Sequence, residues 1–265
     1  MNRITSIFQA LRDEHRTGLM PFITAGFPSL DVTLQTIPVL EQAGASIVEL
    51  GFPFSDPIAD GPVIAASMHE ALTAGLTPGQ IFDGIARVRP ETSLGLLAMV
   101  SYSIIRKIGE AEFADRCAEA GIDGLIVPDV DLDDAPRLRD IAGDRGLTFT
   151  LLVAPTSSEA RTAQIVAACT GFVYVLARVG ITGERDTMPD VGARIAAIRR
   201  HTDLPMAVGF GISKPEHVAA VTEHAEAAIV GSALVRRMAE SDDPVGAARD
   251  FVSGLSAGLS VGGRA

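Results

Sequence analysis

Glu49 and Asp60 frame the segment 49–62, ELGFPFSDPIADGP. The segment leaves an apolar run at 47–50 that reads as a buried strand. It crosses Pro, Gly and Asp punctuation and ends at Pro62, where a helix can begin. A carboxylate that closes a buried strand is costly to bury unless it is paired or put to work. One acid on a rigid strand and a second in the loop after it would suit general acid–base chemistry. Each acid also has a plainer reading. Glu49 could be a rim acid paired with Arg178 or a helix N-terminus. Asp60 before Gly61-Pro62, and Asp56 before Pro57, are ordinary turn chemistry. Asp129, after Pro128, reads as catalytic or as a cap.

The elements that would position these acids repeat along the chain. Apolar runs at 19–24, 47–50, 94–100, 124–127, 148–153, 172–176, 206–208 and 227–230 alternate with helical patterns, closed in places by Gly44, Gly121 and similar stops. Helices are expected at 31–43, 62–74, 78–88, 110–120, 133–144, from 158 to 168, from 190 to 200, at 215–223 and at 245–255, with an extra one at 4–15. Such alternation is the signature of parallel βαβ units. Eight strands and 265 residues predict a single (β/α)8 TIM barrel with an extra N-terminal helix, residues 1–265 forming one domain. The Gly- and Ser-rich tail, 258–265, is expected to fray. The competing open doubly wound sheet would show Gly-x-Gly-x-x-Gly after its first strand, and the chain has none there.

Composition narrows the classes. Hydrophobic residues make up 47%, enough for a full core, and the net charge of −11 argues against a binder of nucleic-acid backbones. A small anion is still compatible, because a few backbone N–H groups can hold one phosphate. Cys117 and Cys169 read as buried thiols of a reducing compartment. No stretch is apolar enough for a signal peptide or a bilayer span, so a cytoplasmic location and no membrane contact are expected.

In barrels of this kind the site lies at the C-terminal strand ends. That rule collects Phe22, Thr24 and Gly26; Glu49 and Asp60; Met99, Ser101 and Tyr102; Asp129; Tyr174 with Gly180, Thr182 and Gly183; and Gly209, Phe210, Gly211, Ile229, Gly231 and Ser232. Gly-Phe-Gly after the seventh strand and Gly-Ser after the eighth bring bare N–H groups to the rim, as a phosphate site needs, although each could be only a tight turn. Phe22, Tyr174 and Phe210 could line a pocket for a planar ligand or be plain core. The histidines, His15, His69, His201, His217 and His224, are expected away from the rim, so no metal is predicted. Lys107 and Lys214 are not at strand ends, which weakens a Schiff-base mechanism.

With these residues in view, the chain resembles the tryptophan synthase alpha chain family over nearly its whole length. The matching segments are PFITAG at 21–26, VELGFPFSDPIADGPVI at 48–64, GLIVPD at 124–129, GITG at 180–183, GFGIS at 209–213 and GSALV at 231–235. The resemblance implies retro-aldol cleavage of indole-3-glycerol phosphate to indole and glyceraldehyde 3-phosphate. It makes Glu49 the general acid/base and Asp60 the partner of the indole nitrogen. Gly183, Gly211, Gly231 and Ser232 become the phosphate cradle. Phe22, Ile126, Tyr174, Phe210 and Ile229 become the indole walls, and Thr182 orders Asp60 when the lid closes. It further implies no cofactor in this chain and a beta-chain partner that holds pyridoxal phosphate (PLP), in an alpha2-beta2 tetramer that passes indole internally. The chain departs from the family at Tyr102–Gly109, where an Asn-Pro pair after Tyr is usual, on the expected docking side. Alternatives are a stand-alone lyase, a non-catalytic activator of the beta chain, and another phosphate-sugar barrel enzyme.

Overall fold

The computed structural model describes residues 1–56, 61–177, 191–209 and 211–259. Its elements run α1 (Arg3–Asp13), β1 (Gly18–Thr24), α2 (Leu30–Gln42), β2 (Ile47–Gly51), α3 (Pro62–Thr73), α4 (Pro78–Val88), β3 (Gly95–Met99), α5 (Tyr102–Ile108), α6 (Glu110–Ala120), β4 (Gly124–Ile126), α7 (Ala135–Gly143), β5 (Thr148–Thr150), β6 (Leu152–Val153), α8 (Glu159–Ala168), β7 (Val173–Leu176), α9 (Gly192–Arg199), β8 (Met206–Gly209), α10 (Pro215–Thr222), β9 (Ala227–Val230), α11 (Ser232–Ala239) and α12 (Pro244–Ser256). Several helices start where a side chain supplies an acceptor for free N–H groups. Ser29 and Ser158 cap α2 and α8, and Thr77 with Gln80 forms a capping box on α4.

The strands pair in parallel, in the order β5-β4-β3-β2-β1-β9-β8-β7-β6 among the described residues. The two ends of that order are consecutive pieces of one run, 148–153, which the sequence predicted as a single strand. Thr148–Thr150 pairs with β4, and Leu152–Val153 pairs with β7. Leu151 is the joint: its N–H donates to Cys169 Sγ at 3.3 Å, and its carbonyl accepts from Tyr174 N at 3.3 Å. One interrupted strand thereby closes the TIM barrel.

Each strand has two faces. Leu19, Ile23, Val48, Leu50, Leu96, Ala98, Val173 and Val175 pack against the helices. Met20, Ile47, Leu97, Ile126, Phe172, Tyr174, Ala207, Ala227 and Ile229 fill the barrel's interior. This division is the period-two alternation of a strand with both faces buried.

The extra N-terminal helix closes the barrel from below. Ile4, Phe8 and Leu11 recur at helical spacing and join the interior cluster, with the Phe8 and Phe172 rings 5.6 Å apart. Glycines open the space for them. A Cβ on Gly95 would stand 2.5 Å from Ile4 Cδ1, and one on Gly18 would stand 3.0 Å from Leu11 Cδ1. Asn2 fixes the helix start. Its side-chain oxygen accepts from Ile4 N, and its Nδ2 donates to the carbonyls of Asp123 at 2.7 Å and Gly146 at 2.6 Å.

Two short helices were not legible in the sequence. Residues 102–108 form α5, and residues 232–239 form α11, which buries Ala233, Leu234, Val235 and Met238. Gly258 and Leu259 are described, and Leu259 packs against the helix-side core; the rest of the tail lies outside the described residues. Among the described residues no helix is long and apolar enough to cross a membrane.

Ile4 is fully buried. Ile4→Ala should therefore cost about 2–5 kcal/mol, because the barrel floor cannot collapse into the cavity. Urea unfolding followed by circular dichroism reads this directly, and a loss under 1 kcal/mol would show that α1 is not the plug described.

Candidate active site

The placement of Glu49 follows from strand parity. Ile47 faces the interior, Val48 and Leu50 face the helices, and Glu49 therefore shares the interior face with Ile47. Its Cα pairs with Phe22 of β1 on one side and with Leu97 of β3 on the other. The residue is fully buried. Neither carboxylate oxygen has a hydrogen-bond partner among the described residues. Burial alone pushes its carboxyl well above the usual carboxylate range. The plainer reading, a rim acid held by a partner, finds no such partner among the described residues, and Arg178 lies outside them.

Two aromatic rings of the inner wall, Phe22 beside Glu49 and Tyr174 on β7, have room because glycines stand next to them. A Cβ on Gly51, at the end of β2, would stand 2.4 Å from Phe22 Cζ. A Cβ on Gly209, at the end of β8, would stand 2.5 Å from the Tyr174 hydroxyl oxygen. Phe22 is also in a small upper cluster with Phe27, Ile64, Met68 and Val235, which ties it to α3 and α11. Ile126, Tyr174 and Ile229 belong to the interior cluster. The barrel thus brings Phe22, Glu49, Ile126, Tyr174 and Ile229 onto its inner wall. Gly51 entered the sequence reading only as the start of a loop, and Gly209 only as a bare N–H. Their packing role depends on a ring from the neighbouring strand, and no sequence pattern reveals that.

The loop leaving β2 is anchored before it reaches the second acid. Phe52 N donates to the Met99 carbonyl at 2.8 Å, and its ring packs in the helix layer against Phe82 and Phe113. Asp56 is exposed. Helix α3 resumes with Gly61 as its N-cap and Pro62 in its first turn, directly after Asp60. Asp60 itself lies outside the described residues, as do Thr182, Gly183 and Phe210.

Further round the rim, beyond β1 and β9, Gly211 has φ +80°, a left-handed conformation that favours glycine, and Ile212 beside it is buried. Gly231 is the N-cap of α11, and Ser232 is its first residue. A Cβ on Gly231 would stand 3.6 Å from Phe22 Cβ, an ordinary contact, so packing within the chain does not demand glycine there.

Asp129 resolves as a cap. Its carboxylate accepts from Tyr102 N at 2.7 Å and from Ser101 Oγ at 2.6 Å, and so holds the start of α5. Beyond it, Tyr102 donates to Glu110 Oε1 at 2.7 Å, and Arg137 bridges Glu110 and Asp134. One expectation is corrected. His217 was placed away from the rim, but it stands in the first turn of α10, directly after the turn that leaves β8. A helix that follows a barrel strand begins at the strand's C-terminal end, so its first turn borders the rim. Among the described residues no three His, Cys, Asp or Glu side chains stand together to hold a metal ion.

Comparison with known proteins shows what family and fold this barrel shares. The family model described as tryptophan synthase alpha chain matches residues 8–253. A tryptophan synthase alpha chain from Chloroflexus aggregans is 44% identical over 90% of this chain and 90% of that protein. The solved structure of tryptophan synthase subunit alpha from Legionella pneumophila str. Paris superposes with a TM-score of 0.90 at 31% identity, covering 97% of this chain and 98% of that one. A tryptophan synthase structure from Mycobacterium tuberculosis gives 0.89 at 29% identity, covering 97% and 98%.

The raised Glu49 pKa sets a pH dependence. The folded state keeps this proton to higher pH than the unfolded chain does. Its contribution to stability is thus complete below the ordinary glutamate pKa and is lost as pH rises through the folded value. Relative to Glu49→Gln, the parent should lose up to about 1.4 kcal/mol per pH unit across that window. Urea titrations of both proteins between pH 5 and 8, buffer conditions chosen to span that range, test this; parallel curves would refute it.

Proposed function

The chain belongs to the tryptophan synthase alpha chain family, and from that premise we propose how its barrel mouth performs the alpha reaction. The enzyme is a carbon–carbon lyase that cleaves indole-3-glycerol phosphate, and the family's naming implies a beta-subunit partner. The bond to be broken joins indole C3 to the glycerol chain. Protonation at C3 turns the ring nitrogen into an electron sink. Loss of the proton from the adjacent hydroxyl then drives the C–C electron pair back into the ring, leaving indole and an aldehyde. Net, one proton passes from oxygen to carbon.

Glu49 is the acid that delivers the C3 proton and the base that takes the hydroxyl proton. The observation that carries this role is its buried carboxyl with both oxygens unpartnered among the described residues. Burial keeps it protonated at pH values where an exposed glutamate is ionised, so an acid is ready when substrate arrives. Asp60 accepts the indole N–H and stabilises the positive charge developing on the ring. Phe22, Ile126, Tyr174, Phe210 and Ile229 sandwich the heterocycle, and Thr182 orders Asp60 on closure. Gly183, Gly211, Gly231 and Ser232 hold the phosphate through N–H groups and the start of α11. A Cβ at Gly231 would meet only ordinary contacts, so the two reasons for glycine there are its backbone conformation, φ −122° with ψ −87°, and the close approach of the phosphate.

The chain needs no cofactor of its own. Its partner supplies PLP and consumes the indole within an alpha2-beta2 complex in the cytoplasm. The face presented to that partner includes the loop carrying Asp56 and the helix α5. The readings as a stand-alone lyase, a non-catalytic activator or a different sugar-phosphate enzyme are not favoured by the family match.

Glu49→Gln and Asp60→Asn should each lower indole formation by about 10²–10⁴-fold, or roughly 3–5 kcal/mol of barrier, with the fold retained. Gly231→Ala should still fold but lose some stability, because its Cβ has room while φ −122° with ψ −87° lies outside the regions that L-residues favour. It should raise KM by about tenfold with kcat little changed. Indole release from purified chain, measured alone and then with a beta chain added, checks the set. Near-parent turnover by Glu49→Gln would remove the role given to Glu49, and no rise with the beta chain would remove the complex.

A further inference from the structure

The turn between β8 and α10 is short and is held at three points. Gly211 supplies a left-handed residue, Ile212 is buried in the helix-side core, and the N–H of Ser213 donates to Nδ1 of His217 at 3.3 Å. The third contact is unusual in its parts. Helix α10 has Lys214 as N-cap, with no side-chain cap hydrogen bond, and Pro215 in its first turn. His217, third in the helix, reaches back to the free N–H before the cap. In a capping box a Glu or Gln at that position accepts from the N–H of the N-cap residue itself; His217 reaches one residue further back. The histidine is 6% exposed, so its ring has little freedom to leave. Accepting from an N–H requires an unprotonated Nδ1, which puts the ring proton on Nε2.

We propose that His217 is a positioning residue for substrate phosphate: by accepting the Ser213 N–H it holds the Gly211–Ser213 turn in the shape that presents the Gly211 backbone to the anion. The inference rests on the phosphate cradle of the preceding section and extends it to a side chain that touches no substrate. It separates two roles of the imidazole, the acceptor atom and the bulk of the ring.

Two variants divide those roles. In His217→Asn the side-chain oxygen is as many bonds from Cα as Nδ1 is, so an acceptor remains. In His217→Leu the apolar volume is largely kept and the acceptor is lost. His217→Leu should raise KM for indole-3-glycerol phosphate, and the dissociation constant for glycerol 3-phosphate, by about tenfold, the scale of one lost hydrogen bond. Its kcat and its affinity for indole, which has no phosphate, should stay within about twofold, a change worth under half a kcal/mol. His217→Asn should recover most of the loss. An unchanged glycerol 3-phosphate affinity in the Leu variant overturns the inference. So does an equal loss in both variants, or an equal loss of indole binding. Should the Leu variant not fold, amide exchange of the parent decides: the Ser213 N–H must be protected, and free exchange refutes the bond. The parent's own binding of glycerol 3-phosphate is measured first. If it fails, the phosphate cradle falls and this inference with it; if it succeeds and the Leu variant matches it, only the role of His217 falls.

Discussion

The structure turns on one costly placement: a carboxyl on the inner wall of a filled barrel, with no hydrogen-bond donor toward it among the described residues. Burying an ionisable group without a partner favours its neutral form and subtracts from stability. The fold tolerates this because the rest of the interior is apolar and closely packed, from the α1 plug at the floor to the ring of Tyr174. Strand β2 is held on both sides by β1 and β3. The carboxyl therefore cannot swing into the helix layer without breaking two ladders. That rigidity suits the role proposed for Glu49, which requires it to meet one carbon atom and one oxygen atom of the substrate.

Glycine sets the shape of both ends of the barrel, for different ends. At the floor, Gly18 and Gly95 admit side chains of α1 and seal the cylinder. At the mouth, Gly51 and Gly209 admit the rings of Phe22 and Tyr174 beside the neighbouring strands. The same device therefore serves stability at one end and pocket shape at the other. This matches the general division of such barrels into a stable face and a chemical face.

Around the mouth, polar side chains work mainly on backbone. Asp129 holds the first N–H of α5, Thr33 Oγ1 accepts from Gly26 N at 2.9 Å, and His217 takes the N–H of Ser213. Each bond fixes a turn that follows a strand. Tyr102, Glu110, Arg137 and Asp134 extend such fixing outward to the surface of α5 and α7. The segment 102–108 is thus an ordered helix, tied to α6 and α7 by this network.

Much of this was determined by sequence alone. Apolar runs separated by helical stretches specify parallel βα units, and the segment 48–64 points to the family and holds the two acids proposed for its chemistry. That information is local, carried by neighbours along the chain. What only the tertiary structure decided depends on residues far apart in sequence. The run 148–153 breaks at Leu151 because Cys169 and Tyr174 bond its backbone there. Asp129 becomes a cap because β4 ends beside the start of α5. Gly51 becomes a seat for Phe22 because β1 and β2 are neighbours in that register. Which partner a side chain meets across a sheet is set by closure of the barrel, and closure is a property of the assembled strands rather than of any one of them.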